Sequence, residues 1–257
     1  MKPVLSLVRR IAVPAGLAAI AALSMVFVFD TRIAAQAPAY VLDHFKCYYT
    51  TNQPPNVRVG LKDQFDTALQ DTLVWYAVRF CNPVEKTRRN GVVTLIQDPL
   101  AHLKMYLIAH QALAPTRIVT YSNQFGQRRL KTYQPEVLAV PTGKNGAPQS
   151  PDLDHFKCYR ATGLKINAAV VLRDQFHTET VKVLDPFGFC NPSEKVHGTL
   201  PKVDIKHPQD HLVCYKITQV PFATTVTTNN QFGSEILNVR DADLLCVPSK
   251  KLAVSVP

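Results

Sequence analysis

At 257 residues, with 46% hydrophobic and 19% charged residues, the chain can bury a real core and is not a disordered polymer. Its formal net charge of +10 favours anionic partners without choosing one. It has no phosphate loop, dinucleotide fingerprint, His-Glu-x-x-His, Gly-x-Ser-x-Gly elbow or calcium loop, which sets aside the enzyme classes that local motifs reveal.

Arg9 and Arg10 precede an uncharged run, Ile11–Phe29, and small residues follow as far as Ala37-Pro38-Ala39. A basic start, an apolar middle and an Ala-x-Ala site predict a secretory signal over 1–39, cleaved after Ala39. The competing reading is an uncleaved anchor, since the apolar run is just long enough to cross a bilayer. Either way residues 40–257 would lie beyond a membrane, periplasmic or extracellular, where disulfides persist.

The chain after residue 40 is four repeats of about 50 residues. Asp43-His44-Phe45-Lys46-Cys47-Tyr48 returns unchanged as Asp154-His155-Phe156-Lys157-Cys158-Tyr159. It returns altered as Ala101-His102-Leu103-Lys104-Met105-Tyr106 and Asp210-His211-Leu212-Val213-Cys214-Tyr215. Repeats A and A′ share Asp-Gln-Phe (63–65, 174–176) and Cys-Asn-Pro-x-Glu-Lys (81–86, 190–195). Repeats B and B′ share Asn-Gln-Phe-Gly (123–126, 230–233) and a closing Val-Pro (140–141, 247–248). The order is therefore A-B-A′-B′.

Alternation in Leu153–Tyr159 and β-branched runs at 117–121, 169–172, 180–184 and 224–228 predict strands, and Leu73–Val78 reads as a strand covered on both faces. No helix-length apolar period follows residue 40. The fold class expected is all-β: two tandem antiparallel sandwich or barrel domains, 40–142 and 152–253, each of two repeats. The turn-rich stretch 143–151 reads as the linker between them. The main alternative is one closed four-bladed propeller.

Three repeats carry two cysteines each, and the second carries none, with Met105 and Ala139 in their places. Joint loss is expected of bonded partners and coincidental for independent thiols. Of the 15 pairings open to six cysteines, this selects Cys47–Cys81, Cys158–Cys190 and Cys214–Cys246. The rival, a metal site on His-x-x-Cys, suffers because residues three apart on a strand face opposite sides, and no metal or other cofactor is expected.

A residue recurring in every repeat suits structure better than catalysis. Phe of the Gln-Phe pair reads as a core plug and Gln as a side-chain cap for a buried turn or strand end. The His, Lys and Tyr that share a strand face form the candidate binding face, His44, Lys46 and Tyr48 with His155, Lys157 and Tyr159; the alternative is that His and Tyr form a satisfied hydrogen-bonding pair at the sheet surface. The clusters Lys86-Arg88-Arg89, Arg128-Arg129-Lys131 and Lys250-Lys251 read as solvated surface, and without interleaved aromatic residues no nucleic-acid partner is expected.

The motifs at 44–48, 63–65, 81–86, 211–215, 230–233 and 245–250 together resemble a bacterial family of secreted proteins whose domain has no known function. The resemblance implies an exported protein and supplies no activity. The expectation is a non-enzymatic envelope or extracellular module that binds or scaffolds, with an anionic envelope polysaccharide or another surface protein as partner. The alternative is a secreted hydrolase with a carboxylate pair that no local motif reveals.

Overall fold

A computed structural model of the chain describes residues 40–110 and 114–257. The expected export segment, 1–39, lies outside the described residues.

Each repeat is one long bent hairpin. In repeat A the first arm is β1 (Phe45–Thr51) plus β2 (Val57–Lys62), and the second arm is β3 (Gln70–Pro83). Pairing runs from Phe45↔Pro83 at the root to Leu61↔Gln70 near the tip. A short tail follows, β4 (Glu85–Arg88), with β5 (Val93–Thr94) beside it. Repeat B builds the same hairpin from β6 (Leu103–His110), β7 (Arg117–Asn123) and β8 (Gly126–Pro141), with tail β9 (Gly143–Lys144). Repeat A′ uses β10 (Phe156–Gly163), β11 (Ala168–Arg173) and β12 (Thr178–Pro192), with tail β13 (Glu194–Val196). Repeat B′ uses β14 (His211–Ile217), β15 (Ala223–Asn230) and the 23-residue β16 (Gly233–Ser255), whose end is its tail.

The second arm of each hairpin pairs with the first arm of the next: β3 with β6, β8 with β10, β12 with β14, and β16 with β1. Eight antiparallel strands thus close on themselves, a barrel-like solution that leaves no free edge at the roots. The tails cross to the repeat two places along. Tail β4 pairs with β11, β13 with β2, β9 with β15, and the end of β16 with β7.

The strand pleat sorts the root residues onto two faces. Phe45, Cys47, Leu103, Met105, Phe156, Cys158, Leu212 and Cys214 join residues of all four second arms in one apolar cluster. The bridges 47–81, 158–190 and 214–246 lie in it, each between directly paired residues of one hairpin. In repeat B, Met105 pairs with Ala139, and its flexible side chain occupies the place of a bridge. With every cysteine bonded, the rival nitrogen–sulfur metal sites lose their thiolates.

Two expectations change. Residues 40–257 form one compact unit rather than two tandem domains, because hydrogen-bonded pairs cross both halves at β8–β10 and β16–β1. The same pairing distinguishes the ring from a propeller, whose blades are separate sheets. The stretch 143–151 is no free linker. Gly143, Lys144 and Ser150 are buried, and Asn145, at φ 51°, exchanges hydrogen bonds with Thr227. An Asn-Gly turn between paired segments has the composition of a linker and is told apart only by its partners.

A protease nick within 143–151 is expected to leave both fragments associated. They should co-elute in native size-exclusion chromatography and separate in denaturant, since no disulfide joins the halves. Two independently folded fragments would contradict the closed ring.

Candidate functional site

The recurring polar residues meet at four equivalent joints. At each hairpin tip the Asp or Asn carboxamide or carboxylate Oδ1 accepts the backbone N–H of the Phe two residues on. The distances are 2.7 Å for Asp63–Phe65, 2.9 Å for Asn123–Phe125, 3.0 Å for Asp174–Phe176 and 2.9 Å for Asn230–Phe232. These are Asx turns, which is why Asp or Asn precedes Gln-Phe in every repeat.

Each tip lands on the repeat across the ring, against the Tyr of its His-x-x-x-Tyr motif. Ring centroids stand at 5.1 Å for Phe65–Tyr159, Phe176–Tyr48 and Phe232–Tyr106, and at 5.4 Å for Phe125–Tyr215. Such aromatic pairs contribute about 0.5–1.5 kcal/mol each beyond their buried area. Tyr48 donates to Asp174 Oδ2 at 2.7 Å, and Asn230 and Asn123 each donate to their tyrosine hydroxyl at 3.0 Å. Asp tips also meet an Asn amide, Asn82 to Asp174 and Asn191 to Asp63, both at 3.2 Å. Asn tips instead meet Thr142 and Ser249 hydroxyls at 3.0 Å.

The tip Gln reaches the preceding repeat, where it meets a Lys five residues after the cysteine position, buried in three repeats and half-buried at Lys251. Gln124 meets Lys86, Gln175 meets Lys144 at 2.6 Å, Gln231 meets Lys195, and Gln64 meets Lys251. His44 Nε2 lies 2.6 Å from Lys86 Nζ and 2.8 Å from Gln124 Oε1. The Lys of the His-Phe-Lys-Cys-Tyr motif meets an acid from the opposite tip: Lys46 with Glu179, Lys104 with Glu235, and Lys157 with Asp66 at 2.9 Å. Val213 holds that position in repeat B′. The tip of repeat B, which docks there on Tyr215, has Gly126 and Arg128 where the other tips have acids.

The structure therefore places His44, Lys46, Tyr48, His155, Lys157 and Tyr159 on one strand face, as expected, but under the tips. All six are buried, and both lysines are essentially without exposure. They are not available to an external ligand. An alternating pattern identifies a common face and cannot tell whether a second layer covers it. The four Phe pack against the apolar clusters, and the four Gln carbonyls meet Lys amines rather than capping a turn or strand end through these contacts.

What remains outward lies where the hairpins bend away from the ring. In repeat A, a register shift between Val74 and Ala77 interrupts the pleat, so Trp75 and Tyr76 both face solvent; Tyr49, paired with Arg79, is exposed as well. The Ala77 N–H donates to Asn52 Oδ1 at 2.6 Å and fixes the bulge. Next to it, Arg79 makes a buried bidentate pair with Asp243 at 2.7–2.8 Å and lies over the Tyr49 ring. Sequence reading expected Leu73–Val78 to be covered on both faces. A regular strand covered on both faces would bury Trp75 and Tyr76 one on each; the bulge that turns both outward leaves no mark in the alternation. At the corresponding bend of repeat A′, Glu136, Arg160, Asp185, Phe187 and Lys216 line an open cleft of about 470 Å³. Among the described residues no group of three His, Cys, Asp or Glu is placed to hold a metal ion.

Four bent hairpins closed into a ring, each tip bracing the repeat opposite, define an all-β repeat protein. Residues 102–248, more than half of the chain, match the model of a family described as a repeat of unknown function (DUF7450), and the chain belongs to that family. No curated protein and no solved structure matches it.

Two outcomes follow from the joints. Lys157→Ala should destabilise the fold by about 3 kcal/mol by leaving Asp66 charged and unpaired, whereas Lys104→Val combined with Glu235→Gln should recover much of the loss of Lys104→Val alone. Chemical denaturation checks both. The second outcome concerns pH. Burial lowers His44, His102, His155 and His211 from 6.5 to about 3. The unfolded chain protonates them at higher pH, so stability falls as pH drops from about 6.5 towards 3. Burial also lowers Lys86 to about 7, and Lys144, Lys195 and Lys251 to about 8. Between those values and 10.5 the unfolded chain holds more protons, so stability rises with pH across that window. The buried Tyr48 and Tyr159, held protonated by burial and nearby Asp charge, oppose this above about 10. Melting temperatures from pH 4 to 9.5 should climb throughout.

Proposed function

We propose that the protein is exported and acts as a non-enzymatic module that binds or scaffolds at the outer surface of its ring. Three disulfides support the oxidising compartment. The observation that carries the binding reading is the bulge at Trp75 and Tyr76. Amphipathic rings held outward on a hydrogen-bonded frame, in a protein whose recurrent aromatic residues are consumed in packing, suit recognition. Expression of the whole chain in a bacterium with a periplasm should yield oxidised protein outside the cytoplasm, beginning at Tyr40. Retention of purified 40–257 on cell-envelope material should fall several-fold in Trp75→Ala/Tyr76→Ala at unchanged melting temperature. Cytoplasmic, reduced protein, or retention indifferent to the double substitution, would overturn the reading.

A hydrolytic reading has one favouring observation: Glu136 and Asp185 are two carboxylates on the wall of the open cleft. Turnover of a polysaccharide that disappears in both Glu136→Gln and Asp185→Asn would establish it in place of simple binding.

A further inference from the structure

Two of the basic clusters, 128–131 and 250–251, stand about 120 residues apart in the chain, and the fold brings them into one sheet. The end of β16 pairs with β7, and β7 with β8, with Lys250↔Ser122, Ser122↔Gln127, Thr120↔Arg129 and Ile118↔Lys131 in register. On the other edge of β8, Thr162 of β10 pairs with Lys131. Cross-strand partners share a face of the pleat. The face with Val119, Tyr121, Leu130 and Thr132 is buried against the core. The opposite face therefore carries Arg129, Lys131 and Lys250, all exposed, among the hydroxyls of Thr120, Ser122 and Thr162.

No acidic side chain occupies this face at those register positions, and among the described residues none of the three cations has an ion-pair partner. Elsewhere on the surface, Arg58 on β2 is paired with Asp71, and Lys202 with Glu194 and Asp204. Arg129 and Lys131 lie two residues apart, about 7 Å along one strand, and Lys250 lies two strands away, about 10 Å across. An extended polyanion laid over the sheet would meet the cations in succession, with hydroxyl donors and acceptors between them.

We propose that this face of β10, β8, β7 and the end of β16 binds an anionic polysaccharide, carboxylated or sulfated. The cations meet its charges, and Thr120, Ser122 and Thr162 meet its hydroxyls. The proposal rests on the reading of the protein as an exported binding module and places that binding on a second surface, away from the Trp75 bulge.

The test is retention of purified 40–257 on immobilised polygalacturonate, with neutral dextran and duplex DNA as comparison matrices. The wild type should bind polygalacturonate, release as salt rises and ignore dextran. Arg129→Ser/Lys131→Ser/Lys250→Ser should bind about tenfold more weakly with an unchanged melting temperature, as expected for three exposed contacts. Arg58→Ser, which removes a cation elsewhere, should bind as the wild type does. Equal binding by the triple variant, no binding by the wild type, or preference for DNA over polygalacturonate would each overturn the assignment. Retention on envelope material through Trp75 and Tyr76 would survive any of these, so failure here is distinguishable from failure of the export-and-binding reading.

Discussion

The contact between a hairpin tip and the tyrosine of the repeat opposite is the interaction on which the other features depend. A tip consists of an Asx turn that presents one aromatic ring, one carboxamide and, in three repeats, one carboxylate. Each of those groups has a receiving group: the Tyr ring, a Lys amine in the neighbouring repeat, and a second Lys beside the Tyr. Because receivers and donors are in different repeats, no hairpin can satisfy its own polar groups. A single repeat would leave lysines and acids buried without partners or exposed without packing, which makes the ring cooperative by construction.

The disulfides have a different task. Each bridges the two arms of one hairpin near its root, so none holds the ring closed or ties one half to the other. They limit the freedom of the unfolded arms, while closure comes from backbone pairing and the tips. This division explains how repeat B tolerates the loss of its bridge. Met105 and Ala139 keep the cluster filled, and the pairing of β6 and β8 with their neighbours is unaffected. The family match begins at His102 and so covers this bridge-less repeat together with the two that follow.

The sequence made the strand class, the four repeats and the three bridges legible, because each leaves a signature within a short window or in the comparison of one repeat with another. Which repeat touches which was not legible. Hairpins packed as A with B, or each tip on the repeat two places along, present the same alternation. One internal clue pointed the right way: Val213 replaces the lysine of repeat B′, and repeat B alone has no acid at its tip. Donor and receiver changed together in two repeats that are not adjacent in the chain but meet at a tip. The candidate face around His155, Lys157 and Tyr159 failed as a surface for the same reason, since a lysine paired with a distant acid looks in sequence like any solvent-facing lysine. The basic face of β7 and β8 was legible only as two unrelated charge clusters, because its geometry arises from the tail of β16 crossing the ring.

The surface left to act is then set by symmetry breaking. The joints use the residues the repeats share, and the exposed bulge, the cleft and the basic face are built from residues they do not share. The claim beneath all of this is closure between the first and last root strands. Amide hydrogen exchange of residues 40–257 tests it most directly. Closure makes β1 and the Asn238–Cys246 part of β16 exchange as slowly as β8 and β10, in one cooperative unit. Rapid exchange at β1 and β16 with protection confined to separate halves would contradict it.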